Sequence, residues 1–109
     1  MKLNLVYITT KDKEEARKIG QELVKARLAA CVNIIDKMNS FCWWEGKIQG
    51  DREAIIIAKT RQSSVKELIK KVKSLHSYSC PCVVSLPILD GNKAYLDWLK
   101  METERKERK

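Results

Sequence analysis

The sequence lacks any hydrophobic run close to the roughly 20 residues that a membrane-spanning helix needs. Its opening segment, MKLNLVYITT, also lacks the longer apolar region and the small-residue cleavage site of a signal peptide. We therefore expect a soluble, intracellular protein that does not bind membranes.

Motifs of familiar enzyme classes are missing as well. The 109 residues form no Gly-rich phosphate loop, no His-Glu-x-x-His helix and no nucleophile elbow. Acidic residues gather at Glu45, Asp51 and Glu53, but Lys47 and Arg52 beside them indicate ordinary surface ion pairs. The sequence thus shows no catalytic constellation, which by itself does not exclude catalysis.

Cysteine is sparse, and its spacing argues against two common structural uses. Among the four cysteines, Cys80 and Cys82 are too close in an extended segment for an unstrained disulfide. No second close pair of cysteines or histidines completes a four-ligand zinc site. Because no export signal is present, the thiols are expected to be free.

Basic residues outnumber acidic residues by 22 to 14, which gives a net charge of +8. The charges are interleaved along the chain, a pattern typical of a solvated surface, with attraction to nucleic acid or small anions as the alternative. Phe41, Trp43 and Trp44 could stack on bases, but an RNA-recognition sheet needs aromatics on its central strands, where residues 54–57 are Ala-Ile-Ile-Ile. We expect no nucleic-acid partner.

The hydrophobic pattern predicts the order strand, helix, strand, strand, helix, strand, helix within a single domain, residues 1–109. Asp12 with Glu15, and Ser64 with Glu67, have the spacing of capping boxes at two helix starts. The predicted elements lie near residues 3–10, 13–28, 28–44, 53–60, 65–75, 80–88 and 93–99. This order predicts an α+β, ferredoxin-like fold: a βαββαβ unit plus a C-terminal helix, with two helices on one face of an antiparallel sheet.

The central hairpin has two notable features. Gln49-Gly50-Asp51 is predicted to form its turn, with a bulge at Gly46 as a further possibility. The return strand contains a continuous isoleucine run at 55–57, which indicates burial on both faces of the sheet. Helices would cover one face and another subunit the other.

The segment after the second predicted helix carries the strongest chemical signal. His76 ends that helix, and Cys80 and Cys82 follow on one face of an extended segment, with Cα atoms about 6.5 to 7 Å apart. Imidazole and thiolate bind soft or borderline metal ions well. The alternatives are that the cysteines are small buried hydrophobes and that the histidine packs in the helix stripe or contacts carbonyls at the helix end.

Several segments together resemble the CutA divalent-cation-tolerance family, and they fall in family order over essentially the whole chain. They are LAACVNI at 28–34, WWEGKI at 43–48, KT at 59–60, HSY at 76–78 with Pro81, and YLDWL at 95–99. The resemblance implies a ferredoxin-like protomer assembled as a homotrimer. It also implies a cytoplasmic role in tolerance to copper and other heavy metals, without enzyme activity.

The family's proposed metal ligands map onto three positions of this chain. His76 matches the histidine of a His-Pro-Tyr motif, Cys82 stands where the family usually has glutamate, and Thr9 stands where some members have cysteine. We therefore predict a site for copper, or for another divalent or soft ion, formed by His76 and Cys82 with Cys80. Thiolate in place of carboxylate favours softer ions, cuprous rather than cupric copper.

A cleft between subunits is predicted to be lined by Trp44, Lys47, Glu53, Lys59 and Tyr78. The competing hypothesis is a non-catalytic trimeric scaffold or signalling module. Its clefts would bind a small anionic ligand or a protein partner.

Overall fold

Helices cover one face of a four-stranded antiparallel sheet in the computed structural model of the protein, which describes residues 2–104. The strands follow the order β2-β3-β1-β4 across the sheet. The elements are β1 (Leu3–Thr10), α1 (Lys13–Lys25), β2 (Cys31–Trp44), β3 (Lys47–Arg61), α2 (Val65–Leu75), β4 (Val83–Pro87) and α3 (Lys93–Glu102). This arrangement confirms the predicted ferredoxin-like α+β fold with its extra C-terminal helix.

The core lies between the sheet and the helices α1 and α2. Side chains alternate along β1 and β3, so every second residue points towards the helices. The amphipathic helices contribute their apolar stripes to the same layer. The fully buried side chains of this core include Val6, Ile8, Ile56, Ile19, Leu23, Leu68 and Val72.

The opposite side of the sheet, which we call the open face, is apolar, and the core helices α1 and α2 do not cover it. Ile55 and Ile57 of β3 lie half-buried there, beside Tyr7 of β1. Val84 and Leu86 on β4 are exposed. The isoleucine run is therefore fully buried at Ile56 alone, and the prediction that another subunit covers the second face stays a prediction.

The hairpin turn lies at Glu45-Gly46, so the prediction of a turn at Gln49-Gly50-Asp51 is wrong. Glu45 and Gly46 both have positive φ, 51° and 80°, as a type I′ turn requires. Gly50 instead pairs with Phe41, whose ring lies over it: a Cβ at Gly50 would meet that ring at 3.0 Å. The glycine thus makes room for an aromatic side chain and does not mark a chain reversal.

Beyond the rest of the sheet, β2 and β3 continue as a two-stranded ribbon. We call residues 38–53 the arm, because their strand pairing is with each other alone. The arm follows a register shift between Ile35 and Met38, where Lys37 has φ 61°. The arm is mostly exposed, including the large side chains of Phe41 and Trp43.

Some element boundaries differ from those predicted. The helix α1 ends at Lys25 and not near Leu28, because Arg27 adopts a left-handed φ of 59° and the N–H of Leu28 donates back to Leu23. As a result β2 begins only at Cys31.

The two predicted capping boxes have different outcomes. At α1 the Asp12 carboxylate accepts from the N–H of Glu15 at 2.8 Å, as predicted. At α2 the side chain of Ser64 makes no capping hydrogen bond, because a short 3-10 turn at Gln62–Ser64 leads into the helix.

Among residues 2–104, no helix combines the length and apolar character needed to cross a membrane.

Replacing Glu45 by asparagine should raise the free energy of unfolding by roughly 0.5–1 kcal/mol, because asparagine tolerates the left-handed backbone better than glutamate. Urea unfolding followed by circular dichroism measures the change. Glu45→Val is the matched control and should destabilise, since a β-branched residue is strained at positive φ. Equal stability of the two variants would contradict the assigned turn.

Candidate metal site

The residues from His76 to Cys82 connect the end of α2 to the start of β4 without regular secondary structure. We call them the connecting segment. It runs beside the last residues of β1 and the first turn of α1, to which it is hydrogen-bonded. His76 closes α2, because its N–H donates to the carbonyl of Val72 at 2.9 Å.

The imidazole of His76 is fully buried and has a partner at each nitrogen. Its Nε2 lies 2.7 Å from the carbonyl oxygen of Thr9, and its Nδ1 lies 3.0 Å from the backbone nitrogen of Tyr78. A carbonyl can only accept, so Nε2 carries the proton, and Nδ1 accepts the N–H of Tyr78. The side chain is therefore the neutral Nε2–H tautomer in this arrangement.

Glu15 supports the connecting segment from α1, a role that the sequence analysis missed. Its carboxylate is 8% exposed, and it accepts the N–H groups of Lys11 at 3.0 Å and Ser77 at 2.8 Å. Burial alone would raise its pKa, but these hydrogen bonds outweigh burial and hold the pKa of Glu15 below its ordinary value. The capping-box spacing correctly placed Glu15 in the first turn, but nothing in it indicated a contact with Ser77.

Tyr78 joins the connecting segment to the start of the arm. Its hydroxyl donates to the Glu53 carboxylate at 2.9 Å, and its ring lies against the imidazole of His76, with centroids 4.8 Å apart. Burial and the negative charge of Glu53 raise the pKa of Tyr78 far above its ordinary value. Two of the predicted cleft residues, Tyr78 and Glu53, are thus in direct contact.

The two predicted thiol ligands, Cys80 and Cys82, are both on exposed residues. The carbonyl of Cys82 accepts from the N–H of Thr9 at 3.3 Å, which attaches this part of the connecting segment to β1. Partial desolvation of the Cys82 thiol raises its pKa, and electrostatic interactions with Glu53 and Cys42 raise it further. A hydrogen bond with the side chain of Thr9 lowers this pKa but does not outweigh the other effects. Cys42 of the arm is therefore a further thiol near Cys82, one that the sequence analysis did not single out.

The other predicted cleft residues lie elsewhere on the chain. Trp44 and Lys47 flank the turn of the arm. Lys59 pairs with Cys31 near the opposite end of β3, and its ammonium group donates to the side chain of Asn33. Within one chain these residues do not line a common cleft with Glu53 and Tyr78, so the intersubunit cleft stays a prediction.

The described residues do not form a ready multidentate metal site. In the 2–104 range, no three side chains of His, Cys, Asp or Glu are arranged so that they could hold a metal ion. The partners of both His76 nitrogens further limit what the connecting segment offers. The ligand set of His76, Cys82 and Cys80 stays a prediction. Binding through His76 would break one of its hydrogen bonds, whereas binding through the two thiols would leave both of them intact.

A shallow cleft lies between the start of α1, the register shift in β2 and the base of the arm. Positive and negative side chains alternate around it, so its charge favours neither an anion nor a cation. Its lining residues are Lys11, Asp12, Asp36, Lys37, Arg52 and Glu53.

The fold and the thiol-bearing connecting segment together define a class: ferredoxin-like α+β proteins with a long hairpin arm. The model of the family described as CutA1 divalent ion tolerance protein matches residues 4–102. The chain is 45% identical over 101 residues to the divalent-cation tolerance protein CutA of Archaeoglobus fulgidus, an alignment that covers 93% of this chain and 98% of the relative. The chain belongs to the CutA1 family.

Other relatives and solved structures agree with this assignment. A chloroplastic CutA protein of rice is 44% identical over 91% of this chain, although the match spans only 56% of the rice protein. The crystal structure of CutA1 from rice superposes with a TM-score of 0.93 at 42% identity, covering 97% of each chain. The structure of the Archaeoglobus fulgidus protein superposes with a TM-score of 0.91 at 44% identity, covering 94% of this chain and 99% of that one.

Replacing Glu15 by glutamine should lower the free energy of unfolding at neutral pH by about 0.5–1.5 kcal/mol, because the amide offers one acceptor oxygen where the carboxylate offers two to the N–H groups of Lys11 and Ser77. The lowered pKa of Glu15 also determines whether its contribution to stability rises or falls with pH. Its stabilisation is complete above the ordinary carboxyl pKa and is lost as the pH falls through the lowered folded value.

Urea unfolding at about pH 6 and about pH 3 tests this sign, since the wild-type protein should lose more stability on acidification than the Glu15→Gln variant. The control is Glu14→Gln, an exposed position on the same helical turn. Identical pH dependence in wild type and Glu15→Gln would contradict the assigned role.

Proposed function

We propose that this protein binds soft metal ions through the thiols of the connecting segment and thereby contributes to heavy-metal tolerance. The observation that carries the proposal is that Cys80 and Cys82 are both exposed residues on a segment attached to the sheet. Membership of a family described by divalent ion tolerance supports it. Thiolates prefer soft ions, so cuprous copper is the favoured ion.

A single thiol pair is enough for such an ion, because cuprous copper accepts few and soft ligands. Cys80 and Cys82 lie ahead of β4, which begins at Val83 and not at residue 80 as predicted, so strand alternation does not orient their sulfurs. Their separation of two residues places both thiols on the same short segment. Cys42 of the arm contributes to the raised pKa of Cys82, which makes it a candidate for a further sulfur ligand. His76, predicted from sequence as a ligand, would first have to give up a hydrogen bond at one nitrogen.

The homotrimer is the second part of the proposal, and it is supported by the open face and the arm. An isolated two-stranded ribbon is at best marginally stable in water, so the arm needs a surface to pack against. The half-buried Ile55 and Ile57 and the exposed Leu86 form an apolar sheet face that also needs cover. Copies of the same chain meet both needs, because the arm of one can lie on the sheet of another.

Two further expectations stay proposals. A cytoplasmic location is the first, and the names of relatives differ on this point: the rice protein is described as chloroplastic and the Archaeoglobus fulgidus protein as periplasmic. The absence of enzymatic activity is the second. The CutA1 family is a divalent-cation tolerance family and not a known enzyme family.

Light scattering should give a solution mass three times the 12.6 kDa of the chain. Ile57→Lys should abolish this assembly, because a charge would then be buried without a partner on the open face. Val24→Lys is the matched control, since Val24 is an exposed apolar residue on α1 and its variant should keep the wild-type mass. A monodisperse wild-type monomer, or an Ile57→Lys variant with unchanged mass, would contradict the proposed trimer.

Cys80→Ala and Cys82→Ala should each weaken cuprous copper binding by about tenfold or more, because each removes a thiolate ligand. Anaerobic competition against a colorimetric Cu(I) chelator measures the affinity. Cys31→Ala is the control: this half-buried cysteine pairs with Lys59 on β3 and lies outside the connecting segment. Unchanged affinity in both connecting-segment variants would contradict the proposed site.

A further inference from the structure

We propose that His76 is the positioning residue of the connecting segment and not a metal ligand. Its neutral imidazole holds the segment against β1, so that Cys80 and Cys82 are presented in a fixed orientation. This inference rests on the proposed metal binding. It assigns the imidazole and the thiols different roles, whereas the sequence alone suggested that all three residues bind the ion.

Thr9 lies near the end of β1, where both of its backbone groups have partners in the connecting segment. The ladder between β1 and β4 ends at the pair of Ile8 and Val83. One residue further, the N–H of Thr9 donates to the carbonyl of Cys82 at 3.3 Å, and its carbonyl lies 2.7 Å from Nε2 of His76. The imidazole therefore takes the place of a strand partner, and the two ends of the connecting segment are attached to one residue of β1.

The other ring nitrogen of His76 contacts the backbone of the connecting segment itself. Three consecutive backbone N–H groups at the start of the segment each have a different acceptor: that of His76 donates to Val72, that of Ser77 to Glu15, and that of Tyr78 to Nδ1 of His76. The imidazole thus orients Tyr78, whose hydroxyl donates to Glu53 on β3. Removing the ring would release contacts to two strands at once.

A histidine that binds a metal needs a nitrogen lone pair that is not already in use. Nε2 carries a proton donated to Thr9, and the lone pair of Nδ1 accepts from Tyr78. The side chain is 0% exposed, so an ion could reach it only after the segment opens. The thiols of Cys80 and Cys82 are on exposed residues and require no such opening.

Because the chain contains one histidine, ¹⁵N NMR of the imidazole reports on His76 alone. We expect the Nε2–H tautomer and a scalar coupling across the hydrogen bond from the Tyr78 amide to Nδ1. Both signals should persist after one equivalent of Cu(I) is added anaerobically, while the thiolate-to-copper absorption appears. Loss of the coupling, or a large shift of either ring nitrogen on Cu(I) binding, would overturn the inference.

Two variants separate positioning from ligation. His76→Gln keeps a donor that reaches Thr9 and should retain Cu(I) affinity within about threefold, whereas His76→Leu keeps neither hydrogen bond and should weaken it by about tenfold or more, as loss of an orienting residue does. If His76 binds the ion, both variants weaken it alike. That result would overturn the inference. If the leucine variant is partly unfolded, the NMR experiment on the wild-type protein still tests the inference, because it needs no variant.

The two proposals fail in different ways. Absence of thiolate-to-copper absorption in the wild-type protein would overturn the proposed function, and the inference with it. Copper binding that is lost in Cys82→Ala but also shifts the His76 nitrogens would overturn only the inference.

Discussion

The hydrogen bonds to both backbone groups of Thr9 hold the connecting segment in place, and the candidate site depends on them. A strand residue at the end of a ladder normally leaves its N–H and carbonyl to water. Here Cys82 and His76 take up these groups from a segment that has no secondary structure of its own. The position of Cys82 is therefore set by β1, a central strand whose other face is buried in the core.

The same sheet supports the proposed association of copies of the chain. Every second residue of β1 and β3 is buried on the face of the sheet that packs against the helices. The residues between them form an apolar surface on the opposite face. The arm extends the two strands that border this surface, and from Met38 onwards it pairs only with itself. An open face and an unsupported ribbon in one molecule are complementary, so association of copies satisfies both without any change in the fold.

Much of the fold could be predicted from local patterns, because those patterns act through local physics. The stripe from Ala16 to Leu23 and the Asp12 cap both act within α1. Gly50 misled the prediction because a glycine that admits the Phe41 ring from the opposite strand has the same local signature as a glycine in a turn. Glu15 was missed as a partner of Ser77 for a related reason: a contact between residues distant in sequence leaves no periodic signal.

The electrostatics around Cys82 connect the thiol to its proposed role. Desolvation and the charges of Glu53 and Cys42 raise its pKa, which means that a thiolate there is disfavoured while it is alone. A cation reverses this balance, since the carboxylate of Glu53, which opposes the thiolate, attracts the ion, and a metal must displace the thiol proton. Metal binding at Cys82 should accordingly release a proton and weaken as the pH falls. This pH dependence follows from the environment of the thiol, whichever soft ion is bound.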